Sequence, residues 1–201
     1  MKRFYLACVA AALCGLCLHS TAQASPLKNY AAGKVAIDAG ITLPSSIEGD
    51  NYKMSKSDSS YLGATLGLGS NTAINYKWNN FKAHEGKLRA HQLNLMYKVL
   101  PGISAYAGYM RTDTNTRIGG HDKDTLQAGL QASYDIPALF TIWGNLGAGT
   151  KSNTYEIGLS KPILNNLELN ISYYDHKFKD SLGKHRDLDA KGVNLGLTLK
   201  F

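Results

Sequence analysis

The chain has 201 residues, with 22 lysines and arginines against 15 aspartates and glutamates and a formal net charge of +7. That length allows one domain of ordinary size, and the sequence contains no nucleic-acid recognition motif, which excludes a nucleic-acid partner. All three cysteines, Cys8, Cys14 and Cys17, precede residue 25. We therefore expect the rest of the chain to form no disulfide and to carry no thiolate chemistry.

The first 24 residues have the pattern of a cleaved export signal. Two basic residues are followed by an apolar run from Phe4 to about Leu18. Ala22-Gln23-Ala24 places small residues at the two positions that signal peptidase reads, so the pattern predicts cleavage after Ala24. The apolar run is too short for a spanning helix. We expect a signal peptide over residues 1–24 and one domain over residues 25–201.

After the signal, the hydrophobic pattern repeats every second residue, as it does in β-strands. In the segment from Gln92 to Val99, for example, Leu93, Leu95 and Tyr97 point to one face and the polar residues between them to the other. Such segments have about the 9 to 11 residues that a tilted strand needs to cross a bilayer. Ten are predicted, at residues 33–43, 61–69, 72–81, 89–99, 103–111, 125–134, 140–149, 153–161, 167–175 and 191–201.

The predicted connections alternate between short turns and longer polar links. Short turns with proline, glycine or asparagine follow the second, fourth, sixth and eighth strands, at residues 69–71, 100–102, 135–139 and 162–166. Longer links follow most other strands, for example at residues 44–60 and 176–190. This alternation predicts an all-β fold, a transmembrane antiparallel up-and-down barrel with both chain ends at the rim of short turns. Eight strands are the alternative if the first and seventh segments are not strands.

The two faces of the predicted strands favour a membrane barrel over a soluble one. One face is apolar and free of charge, as at Leu167, Leu169 and Ile171, where a charge would cost about 2 to 4 kcal/mol at the bilayer midplane. The other face carries mainly small uncharged polar residues, which suit a narrow packed lumen. Charges within the strands fall on this second face, and we expect them to project into the lumen and to pair across it. They are Asp38, Lys77, Lys98, Glu156, Glu168 and Lys200.

Aromatic residues lie toward the ends of the segments and predict girdles at the two membrane interfaces. Ordinary β-propensity accounts equally well for any single tyrosine. These residues are Tyr76, Trp78, Tyr97, Tyr109, Tyr134, Phe140, Tyr155, Tyr173 and Phe201.

The last strand ends in an aromatic residue preceded by alternating apolar residues, namely Val193, Leu195, Leu197, Leu199 and Phe201. In this it resembles the closing strand of Gram-negative outer-membrane β-barrel proteins. The resemblance implies a small outer-membrane barrel of the porin-like and adhesin-like class, inserted by the barrel-assembly machinery. Outer-membrane lipid and lipopolysaccharide are then its expected surroundings.

No set of residues indicates catalysis, a cofactor or a metal. Asp175 and His176 come nearest to an Asp/His pair, but neighbouring residues on a strand point to opposite faces, so we interpret them as the solvated start of an outer link. Five histidines in or near the outer links show no ligand spacing. They are His84, His91, His121, His176 and His185.

Most lysines, arginines and aspartates fall in the predicted outer links, for example Lys82, Lys87 and Arg89. They indicate either contact with lipopolysaccharide phosphates or, the interpretation we favour, a hydrated rim with internal ion pairs. The leading functional hypothesis is a non-enzymatic structural or surface-interaction role, with an extracellular ligand possible at the loops. A narrow channel for small solutes is the alternative, and a rim enzyme acting on lipid or peptide is a third hypothesis.

Overall fold

The computed structural model describes residues 26–49, 52–84, 86–116, 119–137, 139–181 and 187–201. The predicted signal peptide lies outside these residues. Within them, no helix is long and apolar enough to cross a membrane. The described chain forms strands β1 (Val35–Gly49), β2 (Tyr52–Lys53), β3 (Lys56–Gly69), β4 (Thr72–Ala83), β5 (Gly86–Leu100), β6 (Ile103–Thr116), β7 (Gly119–Ile136), β8 (Phe140–Gly149), β9 (Ser152–Leu164), β10 (Leu167–Phe178) and β11 (Leu188–Lys200).

The sheet closes into a barrel because its first and last long strands pair. β11 pairs with β10 on one side and with β1 on the other, where Ala36 lies opposite Lys200 and Gly49 opposite Leu188. In the described chain ten long strands form the wall, and the two-residue β2 pairs with the end of β1. The prediction of a ten-stranded up-and-down barrel is confirmed. The eight-stranded alternative is wrong, since β1 and β8 are each paired on both sides.

Tight turns and both ends of the described chain lie at one end of the barrel, which we call the lower end. Gly69 and Gly102 adopt φ values of +110° and +77° in two of these turns. Glycine takes such values without steric cost, and a side chain at Gly102 would also collide with the carbonyl of Ser133. The opposite end is called the upper end.

The strands reach further at the upper end than the sequence pattern predicted. β1 continues to Gly49 and β3 begins at Lys56, so most of the predicted link at residues 44–60 is strand. The predicted link at residues 176–190 is likewise shortened by β10, which ends at Phe178, and β11, which begins at Leu188. The predicted extent of both links is wrong. The strands continue beyond the bilayer, and there the apolar residues of the period-two pattern lie on the inward face instead of the outward face.

β5 shows this change of face. Leu93, Leu95 and Tyr97 point outward, each more than half exposed. Four residues above Leu93, the outward residue is Arg89, whereas the neighbouring inward Leu88 is 2% exposed. The strand therefore has an apolar exterior below this level and an apolar interior above it.

Neighbouring strands change face at the same height. On β6, which pairs with β5, the outward Tyr109 is followed two residues higher by the outward Arg111. On β11, which pairs with β10, the outward Val193 is likewise followed by the outward Lys191. We call the outward apolar residues below this level the lipid-facing belt, and the part of the barrel above it the upper section. An apolar exterior suits lipid and a charged exterior suits water, so the upper section projects beyond the bilayer.

Candidate functional site

The barrel interior concentrates the buried charge of the described chain and is the candidate functional site. Glu156 on β9 accepts a hydrogen bond from Lys77 on β4 at 2.5 Å, and the two strands lie on opposite sides of the wall. The same carboxylate accepts hydrogen bonds from Ser172 at 2.7 Å and from Asn194 at 2.9 Å. A buried charge needs such partners, because its lost hydration is otherwise uncompensated. This ion pair therefore crosses the lumen and obstructs it at mid-height.

The other four predicted lumen charges also bond to neighbours inside the barrel. The Asp38 carboxylate accepts a hydrogen bond from the Thr198 hydroxyl. Lys200 lies 3.1 Å from the fully buried Glu168, as an ion pair. Lys98 donates at 3.0 Å to a backbone carbonyl of the chain before β1. Each of these charged groups therefore has a hydrogen-bonding or ion-pair partner inside the barrel.

A cavity of about 90 Å³ lies beside the Lys77–Glu156 pair, and we call it the chamber. Tyr61, Tyr106 and Trp143 line it together with several amide side chains. The Trp143 indole donates a hydrogen bond to Ser160 at 2.8 Å, which holds its ring against the wall. Since one water needs about 10 to 15 Å³ by this measure, the chamber has room for several waters or one small polar molecule.

The N-terminal segment, residues 26–34, folds into the lower end of the lumen. Leu27 and Tyr30 are buried there against Met96 and Tyr106. The Tyr30 hydroxyl donates a hydrogen bond to Ser104 at 2.9 Å. The position of this segment could not be predicted from the sequence, because residues 26–32 lack the period-two pattern of a strand.

The upper section encloses a second apolar cluster, which we call the cap. Phe81, Leu88, Tyr174, Phe178 and Leu188 form its centre, each 3% exposed or less. The Phe81 ring lies 5.6 Å from the Tyr174 ring and 6.1 Å from the Phe178 ring, measured between centroids. The cap fills the upper end of the lumen with side chains.

His176 belongs to the cap, which corrects the prediction of a solvated loop start. It lies within β10 and is 3% exposed, with its ring edge-on to Phe81 at 5.8 Å. Burial, with the charge of Lys77 as a second cause, lowers its pKa to about 4. Asp175 points outward and pairs with Lys191 at 3.0 Å. The two candidate residues therefore lie on opposite faces and do not come together as a dyad.

The signal for the cap is present in the sequence but was missed. Tyr174, His176 and Phe178 continue the inward row of Asn170 and Ser172 at the same spacing. An inward row that turns from polar to apolar while the outward row turns charged predicts an enclosed apolar cluster beyond the membrane. Among the described residues, no group of three or more His, Asp or Glu side chains is arranged to hold a metal.

Charged residues surround the outside of the upper section as a collar. Many of them lie on strands rather than in the predicted links, because the strands continue above the belt. Arg111 contacts Asp122 at 2.8 Å, and Lys151 contacts Asp180 at 2.5 Å.

Three basic residues of the collar form a basic strip on β4 and β5. Lys82 lies directly opposite Lys87 in the strand register, and Arg89 lies between Asn80 on β4 and Asp113 on β6. Like charges that face each other across a strand pair repel. The facing pair of Lys82 and Lys87 is therefore the part of the strip best suited to an external anion.

The residues of the predicted assembly signal lie on β11 and at its end. Leu195 and Leu197 alternate with the inward Asn194 and Thr198. The Phe201 amide donates to the Val35 carbonyl at 2.9 Å, and the Val35 amide donates to the Phe201 carbonyl at 3.2 Å. These two hydrogen bonds complete the seam between the first and last strands.

Most residues of the predicted aromatic girdles are at least partly exposed on the outside of the barrel. Tyr134, with 72% of its surface exposed, lies at the lower end, and Tyr109 and Tyr173 lie at the top of the belt. Tyrosine combines an apolar ring with a polar hydroxyl, so these positions suit the two interfaces of a bilayer.

A closed barrel with an apolar belt and a packed polar lumen defines an integral membrane β-barrel protein. Residues 22–200 match the family of Gram-negative porins, and the chain belongs to this family. It is accordingly a protein of the Gram-negative outer membrane.

Several solved structures resemble the chain at low identity. One is Ail, the attachment invasion locus protein of Yersinia pestis, with 14% identity over 85% of this chain and 99% of that chain and a TM-score of 0.37. Neisserial surface protein A (NspA) has 14% identity over 84% of this chain and 96% of that chain, with a TM-score of 0.44. The KdgM porin in complex with disordered oligogalacturonate has 11% identity over 83% and 99% of the two chains, with a TM-score of 0.44. No curated protein matches the sequence.

Proposed function

We propose that this protein is a non-enzymatic, non-conducting barrel with a structural or surface-interaction role in the outer membrane. The observation that carries the proposal is the cap, which fills the upper end of the lumen with buried apolar side chains. The Lys77–Glu156 pair obstructs the lumen below it, and the N-terminal segment occupies the lower end. An ion would have to displace all three to pass, whereas open porins keep a water-filled bore with about 16 to 18 strands.

Single-channel recording in a planar bilayer tests this proposal. We expect no unitary conductance steps from the reconstituted protein, with its strand content verified by circular dichroism in the same lipid. Regular conductance steps from folded protein would overturn the proposal and favour the narrow-channel hypothesis.

We propose further that the basic strip of Lys82, Lys87 and Arg89 contacts the phosphates of lipopolysaccharide. The strip begins at Arg89, two outward positions above Leu93 of the lipid-facing belt, and continues upward to Lys87 and Lys82. With the upper end facing the cell exterior, this is the side on which the phosphates of an outer-leaflet lipid meet water. Lys82 faces Lys87, so a bound phosphate would relieve their repulsion. The same contact would orient the barrel in the membrane.

Thermal unfolding with and without purified lipopolysaccharide tests the contact. Lipopolysaccharide should raise the Tm of the native chain, because a ligand of the folded state stabilises it. The triple variant Lys82→Gln/Lys87→Gln/Arg89→Gln should lose most of this increase. Lys161→Gln, at an exposed position near the lower end of β9, is the control and should keep it. An equal increase in both variants would contradict the assignment.

The non-enzymatic part of the proposal rests on the placement of Asp175 and His176. A proton relay needs both groups within hydrogen-bond reach of one substrate, but the outward Asp175 is bonded to Lys191 and the inward His176 is enclosed by aromatic rings. A lipid or peptide hydrolysis that disappears in His176→Gln while folding is retained would refute it.

A further inference from the structure

We infer that the N-terminal segment is a removable plug that controls entry of small uncharged polar solutes into the chamber from the lower end. This goes beyond the proposed surface role, because it gives the interior a function of its own. The inference rests on where the segment is bonded, on the two cavities beside it and on its link to β1.

The N-terminal segment crosses the whole lower mouth of the barrel. On one side, the Gly69 amide donates to the Tyr30 carbonyl at 2.9 Å and the Gly67 amide donates to the Lys34 carbonyl at 2.7 Å. On the far side, Lys28 pairs with Asp135 at the end of β7. β3 and β7 are separated by three strands of a ten-stranded wall, so the segment spans the opening rather than following one edge.

Two cavities meet at this segment. The chamber lies above it, and a smaller cavity of about 10 Å³ lies beside it at the lower end. Pro26 and Gln131 line both cavities. The segment therefore stands between the lower mouth and the chamber, and its departure would join the two spaces.

The link between the segment and β1 permits such a departure. Gly33 has a φ of +83°, and a Cβ there would meet nothing within 4 Å. The segment is held by a few hydrogen bonds and one ion pair at the mouth and by the buried side chains of Leu27 and Tyr30. This set of contacts is much smaller than the continuous strand pairing that holds the wall, so the segment should open more readily than the wall. Residues 26–32 can thus swing about Gly33 while β1 stays in the sheet.

The lining of the chamber indicates the class of solute. Its carboxylates are already bonded to other side chains of the barrel, Glu156 to Lys77 and Asp38 to Thr198. The amide side chains of Asn75, Asn94, Asn145 and Gln131 also line it. Amides donate and accept hydrogen bonds without a charge, so a neutral polar molecule of a few heavy atoms fits best.

Acrylamide quenching of tryptophan fluorescence tests the plug, since acrylamide is itself a small neutral amide. The chain has two tryptophans, and Trp78→Phe leaves Trp143 as a reporter inside the chamber. In this background, Gly67→Ala should eject the segment, because a Cβ at Gly67 would lie 2.8 Å from the carbonyl carbon of Tyr30 and closer still to Ala31. Gly63→Ala is the matched control on the same face of β3, where the Cβ meets the movable Asp38 side chain at 3.2 Å.

We expect weak quenching of Trp143 with the native segment and with Gly63→Ala, and a quenching constant about tenfold larger with Gly67→Ala if the open population rises by that factor. Tyr30→Gly, which removes the largest buried side chain of the segment, should give the same increase if Gly67→Ala fails to fold. Strong quenching with the native segment, or no increase in either folded variant, would overturn the inference. The absence of conductance steps tests the non-conducting proposal, and the quenching of Trp143 tests the plug. One proposal can therefore fail while the other stands.

Discussion

Glu156 shows how one buried charge organises the lumen. Its oxygens accept hydrogen bonds from Lys77, Ser172 and Asn194, which come from three different strands. A carboxylate in the barrel interior loses most of its hydration, and only a full set of donors offsets that loss. Removing one partner should therefore cost more than removing the charge together with its partner.

We predict that Lys77→Met lowers the free energy of unfolding by about 3 to 5 kcal/mol, because it leaves Glu156 buried without its counter-charge. The double variant Lys77→Met/Glu156→Gln should recover a large part of this loss, since the neutral amide can still bond to Ser172 and Asn194. Guanidinium unfolding in lipid vesicles measures both variants. A double variant as unstable as Lys77→Met alone would contradict the prediction.

His176 should make the protein less stable in mild acid. Its pKa is about 4 when folded, against 6.5 for a free histidine, so between these pH values the unfolded chain binds a proton that the folded chain does not. The free energy of unfolding should fall as the pH decreases from 6.5 to 4, by up to about 3 kcal/mol, and this contribution should be constant above and below that window.

His176→Phe provides the comparison for this pH dependence, because it keeps an aromatic ring in the cap and cannot titrate. The difference in unfolding free energy between the native chain and the variant should change between pH 6.5 and pH 4. A difference that stays constant over this range would show that His176 does not remain neutral in the folded protein.

The sequence predicts which face a residue occupies better than it predicts the residue's partner. The period-two pattern predicts that Lys77 and Glu156 share the lumen face, but they are 79 positions apart and meet because their strands oppose each other in a closed wall. For His176 the pattern failed differently. Asp175 is charged, and a charge at that position looks like the end of a strand unless the inward apolar row is followed further.

At the scale of the strand, one element serves two environments. On β5 the outward row of Leu93, Leu95 and Tyr97 faces lipid, whereas the outward Lys87 and Arg89 belong to the collar. Strand number and face were predictable because a bilayer requires a charge-free exterior over about 9 to 11 residues. The ends of the strands above the belt were not predictable. The strands stay hydrogen-bonded to each other beyond the bilayer, and there the charged face points outward and the apolar face points inward.

The belt and the collar should respond differently to the same new charge. Leu95→Arg, near the middle of the belt, should lower the free energy of unfolding by about 2 to 4 kcal/mol, whereas a charge near the interface costs about 0 to 1 kcal/mol. Asn115→Arg, exposed at the upper end of β6, is the matched control and should change stability little. Both are measured by denaturant unfolding in the same vesicles. Equal costs would mean that the bilayer does not end where the outward row becomes charged.

At the scale of the whole molecule, closure of the barrel brings distant parts of the chain together. The cap draws side chains from β1, β4, β5, β6, β10 and β11, and the N-terminal segment contacts β3, β5, β6 and β7. The inward apolar rows indicate that an apolar cluster lies above the membrane, but which strands meet in the cap and where the N-terminal segment lies do not follow from local patterning, because the contents of the lumen depend on the radius of the closed sheet. The seam of β1 and β11 is the contact on which this closure depends.

The seam also carries the predicted assembly signal, and its two roles can be separated at Phe201. Deleting Phe201 removes two backbone hydrogen bonds with Val35, which should cost about 1 to 3 kcal/mol of stability in purified, refolded protein. Phe201→Gly keeps those bonds and removes only the ring, so refolding into vesicles should be nearly unchanged. If the barrel-assembly machinery recognises the ring, Phe201→Gly should nevertheless sharply reduce the folded protein found in outer membranes of expressing cells. Phe201→Tyr, which keeps an aromatic ring, should restore it, and normal membrane levels of Phe201→Gly would mean that the terminal ring is not an assembly signal.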